Sequence, residues 1–378
     1  MDSVNGHIVK FNDRSSSNQS GKKLMCPTTN VVTKNSSDSP SDTKIPPLPK
    51  KPTFDLNLPP TNSDGGNCSK NKRKRESIRE ESINAAVQKP PVMFTHQGSL
   101  IEVKESSPWV KTEFLGQGAY GSVHLAKCNN QERAIKTAHI SRALSLMDEG
   151  KILRRLQSPF VVGCFGEEIV REGNDFHYNL VLEYCPNGSM GDFLKNVVSL
   201  LVEVPVKLFA KDVLSGLKYI HDRNIIHCDI KPDNLLLTMV FDQVLQIDRY
   251  LMKLGDFGLA LEKGTVAYQN ALGHRRGTKR YMAPELLSHG IVDFSVDIWS
   301  FGCSFLEMLS GRRVWADYLH LDYDDFVNLI GKSNLVPYVP NFLSAAAQDF
   351  LKKCLVKDPH ARSGINELLN HPFLRLDV

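Results

Sequence analysis

Asp229, Lys231 and Asn234 fall within six residues of one another, in the run His-Cys-Asp-Ile-Lys-Pro-Asp-Asn at 227–234. A carboxylate that accepts a hydroxyl proton, a cation beside the transferred group and an amide oxygen for magnesium are what phosphoryl transfer needs close together. Twenty-two residues past Asn234, Asp256 opens Asp-Phe-Gly and offers the carboxylate that would hold magnesium against β- and γ-phosphates. Asn234 and Asp256 are therefore the expected metal ligands.

Two further groups lie upstream. Residues 115–123 read Leu-Gly-Gln-Gly-Ala-Tyr-Gly-Ser-Val, and Gly116, Gly118 and Gly121 let backbone approach a phosphate without a Cβ in the way. The same glycine spacing opens a helix in dinucleotide-binding folds. Here Val123, His124 and Leu125 continue as a strand, which favours a flap between two strands; a plain hairpin is the alternative. Lys136 follows Ala134 and Ile135 in an apolar strand. It is either a snorkelling edge residue or a cleft-facing cation for the α- and β-phosphates. The second reading requires an acid, and Glu149 shares a helical face with Ile152, Leu153 and Leu156. A carboxylate on a buried stripe needs a partner, which Lys136 supplies. Gly150 is an oddity in that helix, costing roughly 1 kcal/mol relative to Ala.

The elements that must position these groups change character along the chain. Residues 110–138 read as strands joined by tight turns, 141–156 as a helix, and 178–184 as a further strand. Beyond Gly188 the apolar spacing is helical, notably over 208–220, 296–310 and 345–355. A β-rich part followed by an α-rich part gives an α+β fold of two lobes with a cleft between them. Residues 1–108 are rich in Ser, Asn, Pro and Lys and bury too little apolar surface to offset ordering, so disorder is expected there.

Bulk composition excludes several classes. The net charge of +4 is too small to argue for nucleic-acid or membrane binding. No run of about 18 apolar residues suggests a membrane span, and the polar N-terminus is not a signal peptide. The eight cysteines form no Cys-x-x-Cys pair and read as reduced thiols of a cytosolic or nuclear protein.

Taken in order, the glycine loop, Lys136, Glu149, the 227–234 loop, Asp256-Phe257-Gly258 and Ala283-Pro284-Glu285 resemble the eukaryotic protein kinase family. The resemblance covers residues 109–373. It implies a two-lobed protein kinase fold over 109–374, with an N-lobe at 109–185 and a C-lobe at 186–374. It also implies ATP as cofactor with Mg2+, Mn2+ being an admissible substitute. Lys136, Glu149, Asp229, Lys231, Asn234 and Asp256 would then be catalytic. ATP would be lined by Leu115, Gly116, Gln117, Gly118, Ala119, Tyr120, Gly121, Ser122, Val123, Ala134 and Lys136, with Leu182 as gatekeeper and backbone groups of Glu183 and Cys185 for adenine. Lys231 and Thr278 match the Ser/Thr-specific form of the family, and Thr278 would bond near Asp229 and Lys231. Glu285 would pair with Arg362, and Asp297 would brace the catalytic loop.

Within the family the chain is most similar to plant mitogen-activated protein kinase kinase kinases, through Ser158-Pro159-Phe160-Val161-Val162, His227-Cys228-Asp229-Ile230-Lys231 and the position of Trp109. The implied substrate is a mitogen-activated protein kinase kinase. The alternatives are a Ser/Thr kinase of another branch, a pseudokinase scaffold, which the presence of Lys136, Asp229, Asn234 and Asp256 argues against, and a dinucleotide-binding enzyme, which the missing βαβ alternation argues against.

Three departures stand out. Cys228 replaces the arginine that normally pairs with an activation-loop phosphate, so activity is expected not to depend strictly on phosphorylation of Thr265 or Tyr268; a nearby lysine or arginine taking its place is the other reading. The stretch 237–253 is long, and its middle, 239–250, reads as an extended hairpin. His274, Arg275, Arg276, Lys279 and Arg280 make the substrate-facing segment basic, which suits acidic or phosphorylated targets.

In the N-terminal region, residues 70–75 (Lys-Asn-Lys-Arg-Lys-Arg) resemble a nuclear import signal, so nucleus and cytoplasm are the expected locations. Residues Asp55 to Pro60 (Asp-Leu-Asn-Leu-Pro-Pro) fit a corepressor-recruiting motif and, with Lys50 and Lys51, a docking motif for mitogen-activated protein kinases. Ser39-Pro40 and Ser107-Pro108 are candidate proline-directed phosphosites.

Overall fold

A computed structural model describes residues 92–94, 100–118, 121–196, 201–318 and 320–375. The chain divides into two units, 1–82 and 83–378, and every described residue belongs to the second. The segments at 39–40, 55–60 and 70–75, and residues Ala119 and Tyr120, lie outside the described residues.

Seven strands build one sheet: β1 (Val92–Phe94), β2 (Leu100–Lys104), β3 (Val110–Gly118), β4 (Gly121–Cys128), β5 (Gln131–His139), β6 (Cys164–Glu172) and β7 (Asp175–Glu183), in the order β1-β2-β6-β7-β5-β4-β3. Its pairings are antiparallel except β2 with β6. Helix α1 (Leu144–Leu153) packs on β6 and β7. Strand β5 is buried on both faces from Ala134 to Ala138. Ala134 and Ala138 join the core that includes Leu146, Met147 and Leu153 of α1, while Ile135 packs with Ala126, Val181 and Trp109 on the other side. Since alternate strand residues share a face, Lys136 is delivered to the α1 side.

Two expectations change here. Ordered structure begins upstream of Trp109, because Leu100–Lys104 adds a strand between β1 and β6 with Val103 buried at 2% exposure; the disorder expected across 1–108 does not reach that far. The helix expected from 141 starts at Leu144, because His139 Nδ1 accepts the Ser141 amide and holds Ile140–Arg142 as a 3-10 turn.

The second lobe is mainly helical: α2 (Met190–Asn196), α3 (Glu203–His221), α4 (Val266–Ala271), α5 (Pro284–His289), α6 (Phe294–Ser310), α7 (Tyr323–Val327), α8 (Ala345–Cys354) and α9 (Ile365–Leu369). Between α3 and α4 lie β8 (Ile225–Ile226), β9 (Leu235–Asp242), β10 (Ile247–Leu254) and β11 (Leu261–Glu262). Helix α6 starts where the Asp293 carboxylate takes the Phe294 amide and is buried from Val296 to Leu309, as expected for a helix apolar all round. Around it pack Phe350 and Phe373. Strands β9 and β10 pair without a break from Leu235↔Leu254 to Asp242↔Ile247, the hairpin expected from the long insertion. Among the described residues no helix is long and apolar enough to cross a membrane.

Candidate active site

Lys136 sits between the buried Glu149 and Asp256, whose side chain stays 43% exposed at the cleft. Its Nζ donates to Glu149 Oε2 at 2.6 Å and to Asp256 Oδ1 at 2.8 Å. Burial alone would disfavour its charge, yet Glu149 and Asp256 together raise its pKa. Burial pushes the Glu149 carboxyl up against the opposing pull of Lys136. Asp256 is also disfavoured by burial, but the Lys136 ammonium overrides this and holds it below its ordinary value. The snorkelling reading of Lys136 is thereby excluded. Gly150 also finds its reason: a Cβ there would lie 2.9 Å from Leu180 Cδ1 and 3.0 Å from the Tyr178 hydroxyl. The glycine lets α1 approach β7 closely enough for Glu149 to reach Lys136.

Asp229 anchors the second cluster. Its Oδ2 accepts Lys231 Nζ at 2.7 Å and Asn234 Nδ2 at 3.1 Å, and its Oδ1 accepts the Thr278 amide at 2.8 Å. Lys231 also donates to Thr278 Oγ1 at 2.8 Å, and Asn234 Nδ2 donates to the Asp229 carbonyl at 2.8 Å. Gly277 makes this possible. It has φ of 106°, and a Cβ would meet the Cys228 carbonyl oxygen at 2.4 Å.

The loop carrying Asp229 is held from below. Asp297, fully buried on α6, accepts the amides of His227 at 2.8 Å and Cys228 at 2.9 Å, as well as His221 Nε2 at 2.8 Å. These bonds over-determine Cys228, whose φ is 66°, a strained value for a non-glycine residue. The His227 ring bonds the Gly255 carbonyl at 3.0 Å and packs edge-on against Phe257 with centroids 4.7 Å apart. That stack joins the catalytic loop to the Asp-Phe-Gly segment, and the spacing of the sequence does not reveal it. Glu285 and Arg362 form a buried bidentate pair at 2.6 and 3.0 Å.

At the edge of the cleft, Leu115 to Gly118 end β3, and Gly121 to Val123 begin β4. Ala134 pairs with Leu182 between β5 and β7. The Glu183 amide is taken by the Gly163 carbonyl at 2.8 Å, so it is not on offer to a base, and its carboxylate holds Lys253. The Cys185 amide meets no protein acceptor among the described residues; burial pushes its thiol pKa up to about 12.

Residues 109–374 match the protein kinase domain model. Mitogen-activated protein kinase kinase kinase 17 of Arabidopsis thaliana is 34% identical over 271 residues, covering 70% of this chain and 69% of that protein. Number 20 of the same organism is 33% identical over 279 residues, covering 71% and 79%. Mitogen-activated protein kinase kinase kinase A of Dictyostelium discoideum is 30% identical over 297 residues, covering 75% of this chain and 30% of its own length. The chain belongs to the protein kinase family.

It is a protein serine/threonine kinase, with a β-rich N-lobe and a helical C-lobe. The family uses ATP and a divalent metal, and the residues present fit both. Asn234 spends its Nδ2 on Asp229, and Asp256 spends Oδ1 on Lys136 and the Gly258 amide. Asn234 Oδ1 and Asp256 Oδ2 accept no hydrogen bond among the described residues. Two hard oxygens without more protein ligands suit an ion that takes its remaining coordination from phosphate and water.

Beside this kinase site, next to Thr278, lies a cavity of about 560 Å³. Its lining carries Lys195, Lys279, Arg280, Arg312 and Arg313 against Asp233 and Glu307. Glu307 is spent on the Tyr281 hydroxyl and the Val314 amide. The Arg280 and Arg313 side chains make no hydrogen bond or ion pair among the described residues. Burial raises the pKa of Cys228, and Arg276 lies close enough to oppose that rise. The Arg276 Nε is buried without an acceptor among the described residues.

Proposed function

We propose that this kinase acts as a mitogen-activated protein kinase kinase kinase, passing the γ-phosphoryl group of ATP to a serine or threonine of a mitogen-activated protein kinase kinase. The observation that carries the chemistry is the cluster in which Asp229 meets Lys231, the Thr278 amide and Asn234 at once. The substrate class is supported by the names of the similar proteins from Arabidopsis thaliana.

In this reading Asp229 orients the acceptor hydroxyl and takes its proton, while Lys231 keeps positive charge beside the transferred group. Lys136 holds the α- and β-phosphate oxygens, positioned by Glu149. Asn234 and Asp256 hold Mg2+, which supplies charge neutralisation across the phosphates when bound. Cys228 leaves no arginine for a phosphate at that position of the loop, so activity does not depend strictly on activation-loop phosphorylation. The basic cavity beside Thr278 favours substrates with acidic or phosphorylated side chains near the acceptor. Residues 70–75 direct part of the protein to the nucleus; a fluorescent fusion with alanine at all five basic residues and an unchanged distribution would remove that reading.

The test uses full-length protein, magnesium ATP, and a catalytically inactive mitogen-activated protein kinase kinase as acceptor. Phosphate should appear on the acceptor and fall to background with Lys136→Met or Asp229→Asn. Transfer that persists in both variants refutes the catalytic assignment. Transfer to generic Ser/Thr peptides but never to that acceptor refutes the substrate class alone.

A further inference from the structure

Ser107 lies just before Pro108 in the segment between β2 and β3, and its hydroxyl is used twice. It donates to Glu168 Oε1 at 2.5 Å and accepts the Trp109 amide at 3.0 Å. Glu168, on β6, is 2% exposed. It also takes Lys104 Nζ at 3.0 Å and Asn179 Nδ2 at 3.2 Å. Asn179 Oδ1 in turn accepts Thr137 Oγ1 at 2.8 Å, one residue beyond Lys136. The register between β2 and β6 spans only Val103↔Ile169 and Lys104↔Val170. So two of the three side-chain donors on Glu168 come from β2 and the segment after it, and they fasten β2 to β6 where little backbone pairing holds it.

We propose that Ser107 is a phosphorylation site for a proline-directed kinase, and that a phosphate there unfastens β2 from the sheet. Pro108 biases Ser107 toward the extended backbone that a kinase cleft accepts. Glu105, Ser106 and Pro108 are exposed, and a two-residue register opens locally at small cost. In the step, the γ-phosphoryl of ATP bonds to Ser107 Oγ, its bond to ADP breaks, and the hydroxyl proton passes to the base of the modifying kinase. The product carries about −1.5 to −2 charge at pH 7. It keeps no proton to donate to Glu168 and sets a second anion against that buried carboxylate. Lys104 is the cation paired with Glu168 among the described residues, and it cannot neutralise both groups. Arg171 and Lys111 nearby face Glu105 and Glu172. The inference is independent of the catalytic reading.

The experiment treats full-length protein with ATP and a recombinant proline-directed kinase proven active on a control Ser-Pro peptide, beside a sample without that kinase. Mass spectrometry should find phosphate on Ser107, lost in Pro108→Ala. Hydrogen exchange should quicken over residues 100–104 in the modified protein. Ser107→Glu should melt below Ser107→Ala, and the gap should close beside Glu168→Gln, where the repulsion is gone. An unmodified Ser107 overturns the site, and equal phosphate without added kinase overturns its proline-directed source. Modification with unchanged exchange over 100–104, or equal melting of Ser107→Glu and Ser107→Ala, overturns the electrostatic unfastening.

Discussion

Glu149→Gln removes the charge that positions Lys136 while keeping the side chain's shape. Lys136 Nζ would still have Asp256 at 2.8 Å, so it is not stranded, and the roughly 3–5 kcal/mol cost of an uncompensated buried charge does not apply. The loss is the difference between a charge-assisted hydrogen bond, about 1.5–3 kcal/mol, and a neutral one, about 0.5–1.5 kcal/mol. About 1–1.5 kcal/mol corresponds to a fall of roughly 5–13-fold in kcat/KM for ATP.

The pH dependence sharpens this. The Glu149 carboxyl is raised by burial above its ordinary value of 4.5, whereas Asp256 is held below its ordinary 3.8 because Lys136 overrides burial. As pH falls, the raised carboxyl protonates first. Of these two carboxyls, Glu149 therefore contributes to the acid limb of kcat/KM for ATP, and wild type should lose activity toward the level of the Gln variant as that limb is crossed. Steady-state kinetics across pH, on variants shown to melt as wild type does, would read both effects. An undiminished acid limb in Glu149→Gln, or a variant as active as wild type at neutral pH, would refute the assignment.

Three other outcomes can be checked. Thr265→Ala and Tyr268→Phe, and phosphatase treatment, should leave activity within about threefold, with Thr265→Ala losing about 1 kcal/mol of stability because Thr265 caps α4 through the Tyr268 amide; abolition of activity by phosphatase and by both substitutions would contradict the role given to Cys228. Glu285→Ala should strand the fully buried Arg362 guanidinium and cost about 3–5 kcal/mol, a drop of roughly 6–20 °C in a thermal melt. Reversing Arg280 and Arg313 to Glu should raise KM about tenfold for peptides acidic near the acceptor and leave neutral peptides unchanged, with the effect shrinking at high salt; equal effects on both peptide types would remove the charge-based preference.

What the sequence discloses about this kinase depends on how the chain itself enforces proximity. Asp229, Lys231 and Asn234 are legible because a short loop cannot separate them, and Thr278 meets them as the family resemblance implies. Lys136 and Glu149 are legible by another route: a carboxylate on an apolar helical stripe demands a cation, and one stands 2.6 Å away. The bond from Lys136 to Asp256 crosses 120 residues and leaves no trace in spacing or periodicity. Gly150 is readable only as an exception, since its reason is a side chain on another element. The same limit hides Leu100–Lys104. Five residues carry too little pattern, and while Leu100–Glu102 pair with Val92–Phe94, what ties the strand to the rest of the sheet is the pairing of Val103 and Lys104 with Ile169 and Val170 far downstream. Glu168 and Asn179 look like ordinary strand polar residues, yet they connect the entry strand to the residue after Lys136. Catalysis is therefore written in short loops and periodic faces, where chemistry must be local. Long-range control runs through single polar pairs, which only the folded chain brings together.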